Sequence, residues 1–218
     1  MKQIYLHGLG QNPDSWSKVI EQLETAEHSM CPDLSELVQG QDTTYQNLYA
    51  AFSAMCDEIE EDICLCGLSL GGVLALNYAI EHPEKIKGLV LIATQYKMPK
   101  KLLRVQNAIF RFMPKSMFQQ MGFGKSDFLK LCNTMMELDF SDSIYKVSCP
   151  TLVIYGEKDH ANKNASIELA NMLIDAELQV FNGVGHEINI EAPDKLEETL
   201  RVFFGRRVGL EGSFFNEI

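Results

Sequence analysis

Two stretches, residues 88–93 (GLVLIA) and 151–155 (TLVIY), are apolar at almost every position. A strand with one wet face alternates apolar and polar side chains, so an unbroken apolar run marks a strand covered on both faces. Such strands belong to parallel sheets with helices packed above and below, and no other feature narrows the possible folds of this chain so far. The surrounding sequence keeps the alternation that a parallel sheet requires. Strand-like runs at residues 4–6, 29–31, 63–66 and 178–181 are interleaved with helical patterns at 15–23, 43–59, 71–80, 163–174 and 194–204. The expectation is an α/β fold: a three-layer α/β/α domain over residues 1–218, on a mostly or wholly parallel sheet of about six strands.

The rhythm breaks once. Residues 95–148 hold no comparable strand, but Leu102, Val105, Ile109 and Phe112 recur at helical spacing, as do Phe128, Leu131 and Met135. Pro99 and Pro114 bracket the first of these helices, and Gly122 and Gly124 mark a break after it, so the segment reads as a helical insertion. Its Phe110, Phe112, Met113, Met117, Phe118, Met121 and Phe123 either line an acyl pocket or simply pack the insertion. Charge is uneven here too. The chain carries −11 overall, yet residues 97–130 hold eight Lys and Arg against one acid, Asp127. An acidic chain argues against nucleic acid as a partner, because that binding neutralises phosphates with clustered cations. The basic insertion reads first as a solvated face balancing an acidic body, with attraction of an anionic substrate or membrane surface as the alternative.

No window approaches the roughly 20 unbroken apolar residues of a membrane span, and residues 1–8 are too brief an apolar run for a signal peptide. Cytoplasmic residence is the expectation. The six cysteines lack framework spacing, and Cys64 and Cys66 alternate within a strand pattern, which suits reduced, buried thiols. There is no C-x-x-C pair and no close His–Cys pairing, so neither a metal site nor a cofactor is expected.

The chemistry-bearing pattern is Gly67-Leu68-Ser69-Leu70-Gly71, a G-x-S-x-G between the apolar run 62–66 (DICLC) and the helical run 71–80. A sharp strand-to-helix turn forces its central residue into a strained backbone, tolerable when the residues two before and two after lack side chains. By itself the pattern fits a glycine-rich turn with an incidental serine equally well. Phosphate loops do not fit, since Val73 and Leu74 stand where Lys and Ser/Thr would. A serine nucleophile needs a base, usually a histidine oriented by a carboxylate. Asp159 follows the strand pattern at 151–155, and His186 follows the one at 178–181; in a parallel sheet both reach the edge that Ser69 occupies. His160 adjoins Asp159, and Asp142 is a weaker alternative carboxylate. Asp159 also suits a cap on the helix that follows it. His7 reads as a loop residue and His82 as a helix-end residue.

Taken in order, HGLGQNPDSW, CGLSLGG, GEKD and GVGHE resemble the successive signatures of the α/β-hydrolase family, from Ile4 to about Phe204. The resemblance implies Ser69 as nucleophile, His186 as general base and Asp159 as its orienting carboxylate. It further implies Leu9 and Leu70 as backbone N–H donors of an oxyanion hole, and residues 95–148 as a helical cap. The family usually places a two-strand hairpin before the His-Gly strand, whereas His7 and Gly8 come early here, which implies a shortened sheet of six strands. The implied activity is cofactor-free hydrolysis of a small to medium carboxylic ester or thioester through an acyl-enzyme. Lyase or acyltransferase chemistry, or a small-molecule receptor with little turnover, stays open, as does the oligomeric state.

Overall fold

Both continuous apolar runs are interior strands, the first fourth and the second fifth in a sheet of six, so the second lies next to an edge rather than at the centre. The computed structural model describes residues 1–23, 26–114, 118 and 123–209, without the side chains of 101, 102, 105 and 106. Six strands, β1 (Lys2–Leu6), β2 (Ser29–Met30), β3 (Ile63–Leu68), β4 (Ile86–Ile92), β5 (Thr151–Gly156) and β6 (Ala176–Phe181), form one sheet in the order β2-β1-β3-β4-β5-β6. Every neighbouring pair is parallel. Alternation along the central strands feeds two cores. On β3, Ile63 and Leu65 enter one and Cys64, Cys66 and Leu68 the other; on β4, Leu89 and Leu91 oppose Val90 and Ile92. Both faces are covered, so neither strand shows a polar period.

The second core is closed by α1 (Ser17–Gln22) and α9 (Pro193–Phe203), and the first by α3 (Tyr45–Asp57), α4 (Leu70–Glu81) and α7 (Lys163–Met172). Helix α4 is buried on every side from Leu70 to Ile80, which explains its almost wholly apolar composition. Helix α9 shows the ordinary stripe, burying Leu196, Leu200 and Phe203. The first helical pattern is split, because Pro13 opens a 3₁₀ turn (Pro13–Trp16) before α1. Two short helices, α2 (Leu34–Leu37) and α8 (Ile188–Glu191), were not legible as patterns, since four residues are too few to show a period.

Between β4 and β5 the chain carries α5 (Lys100–Phe112) and α6 (Lys125–Met135), closed at its base by an antiparallel bridge between Lys97 and Asp139. The inward stripe of α5 differs from the expected one. Leu103, Asn107 and Phe110 turn inward, while Ile109 is 57% and Phe112 90% exposed. The reason is Asn107, whose Nδ2 donates to Asn133 Oδ1 of α6 at 2.8 Å; a hydropathy pattern does not register an inward asparagine. The basic side chains are largely engaged by the protein itself. Lys97 pairs with Asp139 at 2.7 Å, Lys100 with Glu137 at 2.5 Å and Lys130 with Asp42 at 2.7 Å, and Lys125 donates to the carbonyls of Arg111 and Met113. Lys115, Met117, Met121, Gly122, Phe214 and Phe215 lie outside the described residues. No described helix is long and apolar enough to cross a membrane.

The chain steps from β1 outward to β2 and then returns past β1 to β3, so strand order reverses between β1 and β3. A crevice opens at such a point, beyond the carboxyl ends of the strands. The loops after β1 and β3 flank it.

Candidate active site

Ser69 stands between β3 and α4 with φ 53° and ψ −111°, one of two non-glycine residues with positive φ among those described. Its neighbours explain why the turn needs glycine. A Cβ on Gly67 would lie 2.3 Å from the Gly71 carbonyl oxygen, and one on Gly71 would lie 2.3 Å from the carbonyl oxygen of Leu6 on β1. Serine at a helix N-cap normally accepts a bond from the first turn, but the Ser69 side chain makes no such bond. Its hydroxyl is left to the crevice.

Asp159 and His186 come from the loops after β5 and β6. His186 Nδ1 lies 2.7 Å from Asp159 Oδ2, and because a carboxylate only accepts, the bond runs from Nδ1–H to Oδ2. The Asp159 carboxylate is 5% exposed and the His186 ring 40%. Burial pushes the Asp159 carboxyl up, but hydrogen bonds from His186 and Asn162 outweigh it and hold the group below the ordinary range. His160 points to solvent and Asp142 stands apart from these groups.

The loop after β1 is fastened by His7. Its Nδ1 donates to the Gly8 carbonyl at 3.0 Å and its Nε2 accepts from Leu34 N–H at 3.1 Å, and burial depresses its pKa, so the ring is neutral and structural. Gln11 then ties this loop to the loop after β6. Its Oε1 accepts from Gly8 N–H and from Asn189 Nδ2, and its Nε2 donates to Asn189 Oδ1 and Glu187 Oε1. The Leu9 N–H donates to no acceptor among the described residues, and the Leu70 N–H, at the first position of α4, has no intrahelical partner.

All five residues singled out in the sequence, Leu9, Ser69, Leu70, Asp159 and His186, line one cavity of about 530 Å³. Its far wall is apolar and comes mostly from the α5–α6 segment: Met98, Leu103, Phe110, Phe128, Cys132 and Met135. Of the described aromatic and methionine residues named as pocket candidates, Phe110 alone is in this wall; Phe118 and Phe123 pack the core, and Phe112 faces water. Burial pushes the Cys132 thiol up to about 12, so it stays protonated at neutral pH. Sequence reading missed Gln95 and Asn162, which also line the cavity, because one is an isolated polar residue after a strand and the other resembles a helix cap.

A family model described as the alpha/beta hydrolase family matches residues 4–199. The chain belongs to that family. Among its relatives is a pimeloyl-(acyl-carrier protein) methyl ester esterase of Aromatoleum aromaticum, 36% identical over 91 residues. That match spans 42% of this chain and only 36% of the esterase, about a third of its length. Lipase 3 of a Moraxella species is 24% identical over 250 residues, covering 95% of this chain and 78% of the lipase. Two solved structures show the shared hydrolase fold. An enol-lactonase from Burkholderia xenovorans LB400 superposes with a TM-score of 0.80 at 18% identity, covering 94% of this chain and 91% of that one. A thermophilic esterase from Thermogutta terrifontis gives 0.76 at 20% identity, with 95% and 90% covered.

Proposed function

We propose that this hydrolase cleaves a small to medium carboxylic ester or thioester through an acyl-enzyme on Ser69, with the α5–α6 segment as its cap. The observation that carries the reading is the convergence of Ser69, the Asp159–His186 pair and two free backbone N–H groups on one cavity with an apolar far wall. Esterase and lipase relatives support the choice of an ester carbonyl.

In the proposed reaction His186 Nε2 takes the Ser69 proton as Oγ attacks the carbonyl. Negative charge develops on the carbonyl oxygen, where the Leu9 and Leu70 N–H groups meet it; each such donor is worth roughly 10² to 10³ in rate. The N-terminus of α4 adds a favourable field at that point. The imidazolium then protonates the leaving alcohol or thiol, while Asp159 holds the ring by Nδ1–H and offsets its charge. Water, deprotonated by the same Nε2, attacks the acyl-enzyme and releases the acid. The apolar wall suits the acyl chain, since among the described side chains of α5 and α6 no ionised group lines the cavity.

The test uses p-nitrophenyl esters of graded acyl length and a serine-directed fluorophosphonate. Wild-type protein is expected to hydrolyse the esters and to be labelled at Ser69, and Ser69→Ala to lose roughly 10⁶ in kcat while folding normally. Retained turnover in pure Ser69→Ala protein refutes the assignment.

A further inference from the structure

Asn162 holds the N-cap position of α7, yet its side chain makes no capping bond. Asparagine is among the best N-cap residues because its oxygen accepts from the first turn, so a side chain that forgoes this is held elsewhere. It is held at the site. Nδ2 lies 2.9 Å from Asp159 Oδ2, 3.0 Å from Asp159 Oδ1 and 3.2 Å from His186 Nδ1. Its Oδ1 accepts from Gln95 Nε2 at 2.8 Å, and the same nitrogen reaches the Ala161 carbonyl at 3.2 Å. Gln95 lies three residues past the end of β4, at the root of the segment that carries α5 and α6.

Resting on the hydrolase reading above, we propose that Asn162 is a positioning residue for the Asp159–His186 pair, and that Gln95 fixes its orientation from the root of the cap. The chemistry of the contacts supports one arrangement. Nδ1 already carries a proton directed at Asp159 Oδ2, so the Asn162 amide cannot also donate to it; the amide protons go to the carboxylate oxygens. Asp159 Oδ2 therefore receives both His186 Nδ1–H and the Asn162 amide, which also reaches Oδ1, and rotation of the carboxylate breaks these contacts at once. The backbone contributes as well, because Asn162 N–H donates to Asp159 Oδ1 at 3.3 Å. Gln95 decides which end of the amide faces the pair: its N–H group needs an acceptor, so it draws Oδ1 outward and leaves Nδ2 toward Asp159. Without Gln95 the oxygen is free to swing to the first turn of α7 and cap it.

The geometry also predicts that the orienting charge can be moved. An aspartate at position 162 would carry an oxygen where Nδ2 now lies, 3.2 Å from His186 Nδ1. The experiment measures kcat and KM on a p-nitrophenyl ester for Asn162→Leu, Gln95→Leu, Asp159→Asn and the exchange Asp159→Asn/Asn162→Asp, with melting curves for each. Asp159→Asn is expected to cost about 10⁴ in kcat, because the amide no longer enforces the Nδ1–H tautomer. The exchange is expected to regain at least about 10-fold of that. Asn162→Leu is expected to lose up to about 10² in kcat with KM nearly unchanged, the cost of a misplaced base, and to shift the downfield Nδ1–H proton resonance. Gln95→Leu should lose less, and Gln95→Leu/Asn162→Leu should be no worse than Asn162→Leu alone.

The proposal is overturned if Asn162→Leu keeps kcat within twofold, or if the exchange folds but gains nothing over Asp159→Asn. Should the exchange fail to fold, Asn162→Leu decides. Full activity in Asp159→Asn would instead refute the choice of carboxylate, an outcome distinct from failure of the Asn162 role.

Discussion

Ser69 is pinned in a conformation that L-residues avoid, and this has a measurable consequence for stability. Its N–H donates to the Ile92 carbonyl at 2.8 Å and its carbonyl accepts from Val73 N–H at 3.0 Å. With Gly67 and Gly71 pressed against backbone on both sides, the turn cannot relax. A non-glycine residue at φ 53° and ψ −111° stores about 1 to 3 kcal/mol of strain. Glycine in the same place removes the strain but gives the unfolded chain more freedom, which costs about 0.4 to 1 kcal/mol. Strain is the larger of the two. Comparing Ser69→Gly with Ser69→Ala isolates it, because both lack the hydroxyl. At the middle of both ranges Ser69→Gly is expected to be more stable by about 1.3 kcal/mol, or roughly 3 to 5 °C in Tm for a chain of this size. Thermal and urea unfolding followed by circular dichroism measure the difference, and neither variant should turn over an ester. If Ser69→Gly melts at or below Ser69→Ala with the same urea m-value, the strain argument is wrong.

Four further outcomes are expected. Gly71→Ala places a Cβ 2.3 Å from the Leu6 carbonyl oxygen, so β1 and α4 must separate; a loss of about 3 kcal/mol is expected in urea unfolding, together with loss of turnover. His7 is held neutral with its pKa depressed from 6.5, so below that pH the unfolded chain binds a proton that the folded chain refuses, and stability should fall as pH drops from 6.5. Asp159 is depressed from 3.8, so its contribution is present above 3.8 and lost as pH falls through its lowered folded value; urea midpoints against pH should show both limbs, the first flattened in His7→Gln and the second in Asp159→Asn. Leu103→Trp narrows the apolar wall and should move the preferred p-nitrophenyl ester to a shorter acyl chain, whereas an unchanged preference would place the acyl chain elsewhere.

Much of the fold was legible because its signals are local. Each strand carries its own apolar run, and the G-x-S-x-G pattern is five consecutive residues, although the clash that requires Gly71 is with Leu6 of β1. The order of strands was less accessible, since burial on both faces marks β4 and β5 as interior without saying which strand lies beside them. Within the α5–α6 segment the period gave helices, but Ile109 and Phe112 of the α5 pattern face out while Asn107 turns inward, its Nδ2 held by Asn133. Of the residues offered as pocket lining or packing, Phe110 lines the cavity, Phe118 and Phe123 pack, and Phe112 is in water, while Met98 and Leu103, which were not among them, are in the wall.

Ser69 and Asn162 show where local reading stops. Both occupy helix N-caps, both are residue types that cap well, and neither caps. For Ser69 the flanking glycines betray the strained turn, so sequence alone can separate it from an ordinary cap. For Asn162 no neighbour does so, because its side chain is turned by Gln95, which reaches it only through the adjacency of β4 and β5. A capping residue that gives up its cap loses about 1 kcal/mol of helix stability, and the competing partners must exceed that to hold it. Hydrogen bonds to a buried carboxylate are worth about 1.5 to 3 kcal/mol, so Asp159 outbids the α7 terminus for the Asn162 side chain. It follows that Asn162→Asp, which turns that contact into repulsion between two carboxylates, should send the side chain back to the α7 N-terminus in otherwise wild-type protein and there restore a cap. In Asp159→Asn the repulsion is gone, and the same residue is free to serve His186.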